Sequence, residues 1–225
     1  MIIVASCFRD STPYLERHRD QIERFRKLSH EPVYVIAVEG DSTDDTYDRL
    51  KEMEYTDEVL KVEHGGQRYG SVVHPLRWRQ LAACGNVALC AATRVSEPGD
   101  RFVYVESDLV WEPETIMQMT EAVGWNYHAI APMSMALNEA RFYDIWGHMK
   151  DGRPFHAHPP YYDGWAPYAH DLVPIDTAGS CFVLDSEALP VVEFSSHDCI
   201  RGIGRTLAGH GKQLWLDPTA VVYHP

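Results

Sequence analysis

The chain has 225 residues, 45% hydrophobic and 24% charged, which is enough for one large domain with a full core and ordinary for a globular protein. Lysine and arginine total 20 against 33 aspartates and glutamates, a formal net charge of −13. That balance argues against non-specific binding to nucleic acid or anionic membrane, because phosphate binding needs a basic footprint. Cys7, Cys84, Cys90, Cys181 and Cys199 form no C-x-x-C pair and read as reduced thiols. The short apolar start is closed by Arg9 and Asp10, and no run reaches membrane-spanning length, so the expectation is a cytoplasmic protein without a leader.

Taken in order, Ile2–Phe8 reads as a buried strand. Thr12 can cap a helix with Pro13 at its first position, and Leu15, Ile22 and Phe25 recur at helical spacing until Glu31-Pro32 breaks it. Residues 33–38 form a second strand that runs into E-G-D-S-T-D-D-T, where Thr43 or Asp44 starts a helix with Tyr47, Leu50 and Met53 on one face. A third strand covers 59–62, a glycine-rich loop 63–74, and an alanine- and leucine-rich helix 76–94. Arg9, Arg68, Arg77 and Arg79 could make a local basic cleft despite the overall charge. After Glu97-Pro98-Gly99 comes the strand R-F-V-Y-V, then Glu106, Ser107 and Asp108, then a helix over 112–123. Strand and helix in alternation predict an α/β, mostly parallel sheet with helices on both faces. No G-x-G-x-x-G follows the first strand and no G-x-x-x-x-G-K-[ST] occurs anywhere, which excludes the common dinucleotide and P-loop patterns.

The second half is less regular. Residues 128–132 read as a strand, but 133–174 are rich in aromatics, histidine, glycine and proline with weak periodicity. A segment so long and irregular suits a binding region, with Phe142, Tyr143, Trp146, Tyr161, Tyr162, Trp165 and Tyr168 either stacking on flat or sugar-like faces or forming a small aromatic core. A strand over 180–184, a helix over 198–210 and closing strands over 213–216 and 220–223 follow. The whole reads as one domain, 1–225, with halves 1–125 and 126–225.

Two carboxylates spaced i and i+2 at the end of a buried strand lie where open α/β sheets place their ligand crevice, and two such oxygens suit a hard divalent cation. An ordinary polar turn is the alternative. Several segments then match one family pattern in order. V-E-G-D-S-T-D-D-T, C-G-N-V-A-L, G-D-R-F-V-Y-V-E-S-D, D-T-A-G-S-C-F-V-L, H-D-C-I-R-G-I-G-R-T-L-A-G-H-G and L-D-P-T-A-V-V-Y-H-P resemble the successive motifs of nucleotide-sugar glycosyltransferases with the GT-A (Rossmann-like) fold. F-Y-D-I-W-G-H-M-K-D-G resembles the capsule-associated and Golgi mannosyltransferase branches.

The resemblance implies a nucleotide-sugar-binding first half and an acceptor-side second half. It places Ser6, Phe8 and Arg9 at the base pocket and Glu39 on the base or ribose. Asn86 would lie near the diphosphate, with Arg79 as a replacement for the family's usual arginine, which is Gly85 here. Asp108 and His224 would bind Mn2+ or Mg2+, while Glu106 meets the ribose or a water on the metal. Asp198 would be the base of an inverting enzyme or an acceptor ligand in a retaining one, with His197 as substitute, and Trp146 and Gly179 face the acceptor. The implied activity is metal-dependent, hexosyltransferase-type transfer from a UDP- or GDP-linked sugar to a hydroxyl; a nucleic-acid acceptor finds no support in the charge. A nucleotidyltransferase, a sugar-binding module and a zinc hydrolase on His156, His158 and His170 are the competing readings.

Overall fold

The computed structural model describes residues 1–70, 73–124, 127–138, 141–158 and 171–225. Tyr161, Tyr162, Trp165, Tyr168 and His170 therefore lie outside the described residues. The first half builds β1 (Ile2–Phe8), α1 (Leu15–Leu28), β2 (Val33–Gly40), α2 (Thr46–Glu52), β3 (Glu58–Val62), α3 (Pro75–Val95), β4 (Arg101–Val105), β5 (Val110–Trp111) and α4 (Pro113–Ala122). The second adds β6 (Ala129–Ala136), β7 (Met149–Lys150), β8 (Arg153–Pro154), β9 (Val173–Ile175), β10 (Cys181–Asp185), α5 (Arg201–Gly209) and β11 (Leu214–His224).

One sheet takes strands from both halves in the order β3-β2-β1-β4-β10-β6-β11-β5, with β9 also on β11. From β3 to β4 it is parallel, as the alternation predicts. β10 then enters antiparallel to both β4 and β6, and β11 pairs parallel to β6. Two reversals across β10 leave β6 and β11 running in the same sense as β4. The carboxyl ends of β1, β2, β4 and β11 consequently share one edge of the sheet, where open α/β sheets place ligands.

Period-two alternation divides the core. Ile3 and Ala5 of β1 join Ala88 and Ala92 of α3 and Ile203 and Leu207 of α5 on one face. Ile2, Val4 and Phe8 join Ile22 and Phe25 of α1 and Ile116 and Met119 of α4 on the other. Among the described residues, no helix is long and apolar enough to cross a membrane. All five cysteines are free.

Predicted boundaries move at four places, at the first two because a side chain intervenes. Thr12 does not cap α1. Its hydroxyl donates to Asp44 and Asp45, at 2.7 and 2.8 Å, and residues Thr12–Tyr14 form a 3-10 turn ahead of the helix. Asp44 in turn accepts from the Thr46 backbone N–H at 3.0 Å, so α2 starts at Thr46 rather than at Thr43 or Asp44. The predicted 198–210 helix starts at Arg201, after a tight loop in which Ser195 and Cys199 exchange backbone hydrogen bonds and Cys199 takes φ 52°. The two closing strands are one, β11, with a bulge between Asp217 and Val221.

Beneath β1, His18 is 1% exposed and lies 2.8 Å from the Ser6 hydroxyl and 3.1 Å from that of Tyr55. Burial, reinforced by Arg17, pushes its pKa down from 6.5 to about 3. As pH falls from 6.5 towards 3, the unfolded chain takes up a proton that the folded one refuses, so stability is lost through that window. His18→Gln is expected to flatten this acid limb. Between pH 7 and pH 4 the variant should lose roughly 3 kcal/mol less than the parent, read by urea unfolding at each pH. Parallel curves would show that His18 takes up its proton in the folded state as readily as in the unfolded one.

Candidate functional site

Three chain segments meet at the shared edge. After Arg101, β4 is a short run of buried apolar and aromatic residues, and its end delivers Glu106, whose N–H donates to Ser180 O of the β10 side at 3.0 Å. Asp108 follows in the turn before β5, its carbonyl held by the Arg17 guanidinium. β11 brings His224, whose Nε2 lies 3.2 Å from Asp108 Oδ2. Ligand atoms of Glu106, Asp108 and His224 all lie within 4.8 Å of one another, although about 116 residues of sequence separate His224 from Asp108 (224 − 108).

Electrostatics single out the same group. Burial, then the charges of Asp108 and Asp144, push the Glu106 carboxyl up to about 8. Burial works against a charged His224, but the hydrogen bond and charge of Asp108 raise its pKa above the ordinary value. Two carboxylates and an imidazole within this span match the donor set and spacing of a cation with ligand distances of about 2.0–2.2 Å. The residues fit a divalent cation, whose charge would relieve the crowding around Glu106.

At the tip of β2, Glu39 is 1% exposed; Oε1 accepts from Ser42 N–H at 2.5 Å, while Oε2 is buried without a partner among the described residues. A buried carboxylate oxygen left open is costly unless a ligand donates to it. Arg9, at the end of β1, donates to Gln80 Oε1 at 3.1 Å and to Gly66 O at 2.6 Å. Asp41, at φ 51°, accepts from His64 N–H and Gly66 N–H at 2.8 and 3.0 Å and so ties down the loop after β3. Beside it a cavity of about 330 Å3 is lined by His64, Gly65, Gln67, Tyr69, Leu76, Arg79 and Gln80.

The other expected site residues fall in distinct places. Ser6 and Phe8 point into the α1 side of the core, Ser6 onto His18 and Phe8 edge-on to the same ring, and neither reaches the crevice surface. Asn86 pairs its amide with the backbone of Phe194 in both directions, at 2.9 and 2.8 Å, which ties α3 to the 194–199 loop. Arg79 lines the cavity near Tyr69, whereas Arg77, two residues earlier, lies close enough to Glu106 and Cys199 to act on both. Asp198 is paired through Oδ2 with Arg205, and its Oδ1 is buried without a partner among the described residues. Neighbouring Cys199 is buried in the field of both Glu106 and Asp198, which brings the loop against the cluster. His197 is exposed, with its N–H on Ser195 Oγ.

Trp146 does not offer a free ring. It stacks with Trp78 at 5.6 Å, and the Arg201 guanidinium lies over it at 4.2 Å. Gly179 packs directly against Asp144. Burial opposes a charged Asp144, but His148, 3.6 Å away, and the N–H groups of Gly147 and Ser180 hold its pKa below the usual range. Asp144 was legible only as part of F-Y-D-I-W-G, and Tyr143 there and as one of the aromatics of 133–174; nothing in their local pattern assigned them a partner.

Among the described residues, a second grouping of potential metal ligands joins His128, Asp185 and Glu187. There the Lys212 ammonium sits 3.1 Å from His128 Nδ1 and 3.5 Å from Glu187, making an ion-pair knot. Neither grouping includes His156 or His158, and His158 Nε2 is engaged by Lys150 O at 2.9 Å.

No protein-family model and no curated protein matches the sequence. Solved structures do. A mannosyltransferase from Pyrobaculum calidifontis, solved with GDP-Man and Mn2+, is 15% identical over 99% of this chain and 56% of its own, with a TM-score of 0.56. TarS from S. aureus with UDP-GlcNAc is 12% identical over 100% of this chain and 58% of its own, also at 0.56. Glucosyl-3-phosphoglycerate synthase from Mycobacterium tuberculosis with phosphoglyceric acid is 18% identical over 98% and 68%, at 0.51. The chain thus spans between about half and two thirds of these proteins' lengths, and it has the GT-A fold.

Proposed function

We propose that this GT-A chain is a glycosyltransferase that moves a hexose from a UDP- or GDP-linked donor to a hydroxyl acceptor. One observation carries the reading: Glu106, Asp108 and His224 converge at the sheet edge to which β2 also brings the open oxygen of buried Glu39. The solved relatives support it at the level of the donor, since two of them hold GDP-Man and UDP-GlcNAc. Cytoplasmic location belongs to the same proposal, supported by five free thiols.

Asp108, His224 and Glu106 would hold Mn2+ or Mg2+, which when bound supplies positive charge for a leaving diphosphate. Glu39 Oε2 would accept a hydrogen bond from a base N–H, and that contact would satisfy its buried open lone pairs. Arg9 props the cavity rim through Gly66, while Arg77, near Glu106, adds a cation on the diphosphate side. Asp198 Oδ1 would accept the acceptor hydroxyl's hydrogen, with Arg205 fixing the carboxylate by its other oxygen. Exposed His197 is the alternative proton acceptor.

A panel of UDP- and GDP-linked sugars, titrated with Mn2+ or Mg2+ and without, tests the proposal. At least one donor should bind or be slowly hydrolysed in a cation-dependent manner, and EDTA should abolish the signal. Indifference to every donor and to EDTA would remove the transferase reading.

A further inference from the structure

We propose that Tyr143 is a positioning residue for His224, so that the 142–148 segment sets the geometry of the cation site; the inference rests on the reading of Glu106, Asp108 and His224 as that site. Histidines that bind metals ordinarily have the second ring nitrogen anchored on a carboxylate or a backbone carbonyl elsewhere in the fold. Among the described residues, none from another part of the fold gives His224 such an anchor. Its Nδ1 lies 3.1 Å from the carbonyl of Pro225, the very next residue, which moves with it. Its Nε2 faces Asp108, a fellow member of the cluster.

What defines the ring plane is Tyr143. The two rings stack with centroids 3.9 Å apart and planes 10° from parallel. Tyr143 is itself held by its N–H on Ser134 O at 2.8 Å, beside the bridge between Phe142 and Met135. Phe142 is 3% exposed and packs on His148 and Phe155, so the support is rooted in the core. The strand that receives it is β6, which also pairs with the end of β11, Ala136 opposite His224. Stack and sheet therefore constrain the ring and the backbone of His224 separately.

The adjacent Asp144 is fixed in the same segment, accepting from Gly147 N–H at 2.5 Å and standing 3.6 Å from His148 Nδ1. Trp146, in the same segment, is held by Arg201 and Trp78. Any ligand that shifts residues 142–148 would shift the imidazole with them.

The test uses the whole chain without donor. Mn2+ affinity is measured by electron paramagnetic resonance for the parent, Tyr143→Phe, Tyr143→Leu and His224→Ala, with melting curves to confirm folding. Tyr143→Leu should weaken Mn2+ by roughly 3- to 10-fold, the range expected for losing an aromatic pair that supports a ligand, and Tyr143→Phe should restore it to within about 2-fold. In the metal-free protein, the His224 ring protons should appear upfield in NMR spectra of the parent and Tyr143→Phe and move downfield in Tyr143→Leu. Unchanged affinity in Tyr143→Leu, with His224→Ala weakened, would overturn the positioning role and leave the site reading standing. Unchanged affinity in His224→Ala would instead remove the site reading, and this inference with it. If Tyr143→Leu does not fold, an absent upfield shift in the parent overturns the proposal.

Discussion

Asp108→Ala is expected to abolish cation-dependent donor binding, by at least about 100-fold, while leaving the fold intact. The reason is its double position. Its carboxylate lies 3.2 Å from the His224 imidazole and within 4.8 Å of the Glu106 carboxylate, so it meets both other cluster members. With it removed, one carboxylate and one imidazole remain, too few charged oxygens to hold a hard cation against water. Stability should change little, because the side chain is 30% exposed and the contact that fixes this turn, from Arg17, goes to the Asp108 backbone carbonyl, which alanine retains. Removing a like charge beside Glu106 offsets the loss of the partly exposed pair with His224. Calorimetric titration of the donor with Mn2+ and with EDTA, alongside circular dichroism melts, checks both halves of the prediction. Donor binding that survives in this variant and still responds to EDTA would place the cation elsewhere.

Gly179→Ala is expected to be among the most damaging small changes in the chain, at about 2–4 kcal/mol. A Cβ at this position would stand 1.3 Å from Asp144 Oδ2 and 3.1 Å from His148 Nδ1. Something must give, and the Asp144 carboxylate is not a loose end. It accepts from Gly147 N–H at 2.5 Å and from Ser180 N–H, so its displacement strands two backbone donors. A double-mutant cycle separates the steric term from the lost hydrogen bonds. Asp144→Ala should itself destabilise by stranding the same donors, but Gly179→Ala added to it should cost less than about 1 kcal/mol, since the colliding atoms are gone. Urea unfolding of the four proteins gives the coupling; full additivity would show that the glycine is needed for a backbone reason rather than to clear Asp144.

The two predictions draw on different amounts of foresight. Asp108 could be singled out from a strand ending in Glu106-Ser107-Asp108, because a buried apolar run and an acidic exit are both local patterns. Gly179 was legible only through resemblance, and its reason, the carboxylate of Asp144 against its Cα, comes from a residue 35 positions earlier (179 − 144). Ser6 and Phe8 show the opposite limit. They lie at the end of the right strand, but period-two alternation turns both towards α1, so only Arg9 beyond them reaches the crevice.

By itself the sequence determined the strand–helix alternation of the first half, the sites of the acidic strand ends and the breaks between elements. Those follow from periodicity, proline and glycine, which act over a few residues. Tertiary structure decided the rest: that β10 inserts antiparallel, so that β11 carries His224 to the edge shared with Glu106 and Asp108; that Asn86 spends its amide on Phe194; and that Tyr143 and Asp144 flank the cluster. These depend on sheet order and on contacts between residues tens of positions apart, which no local pattern encodes.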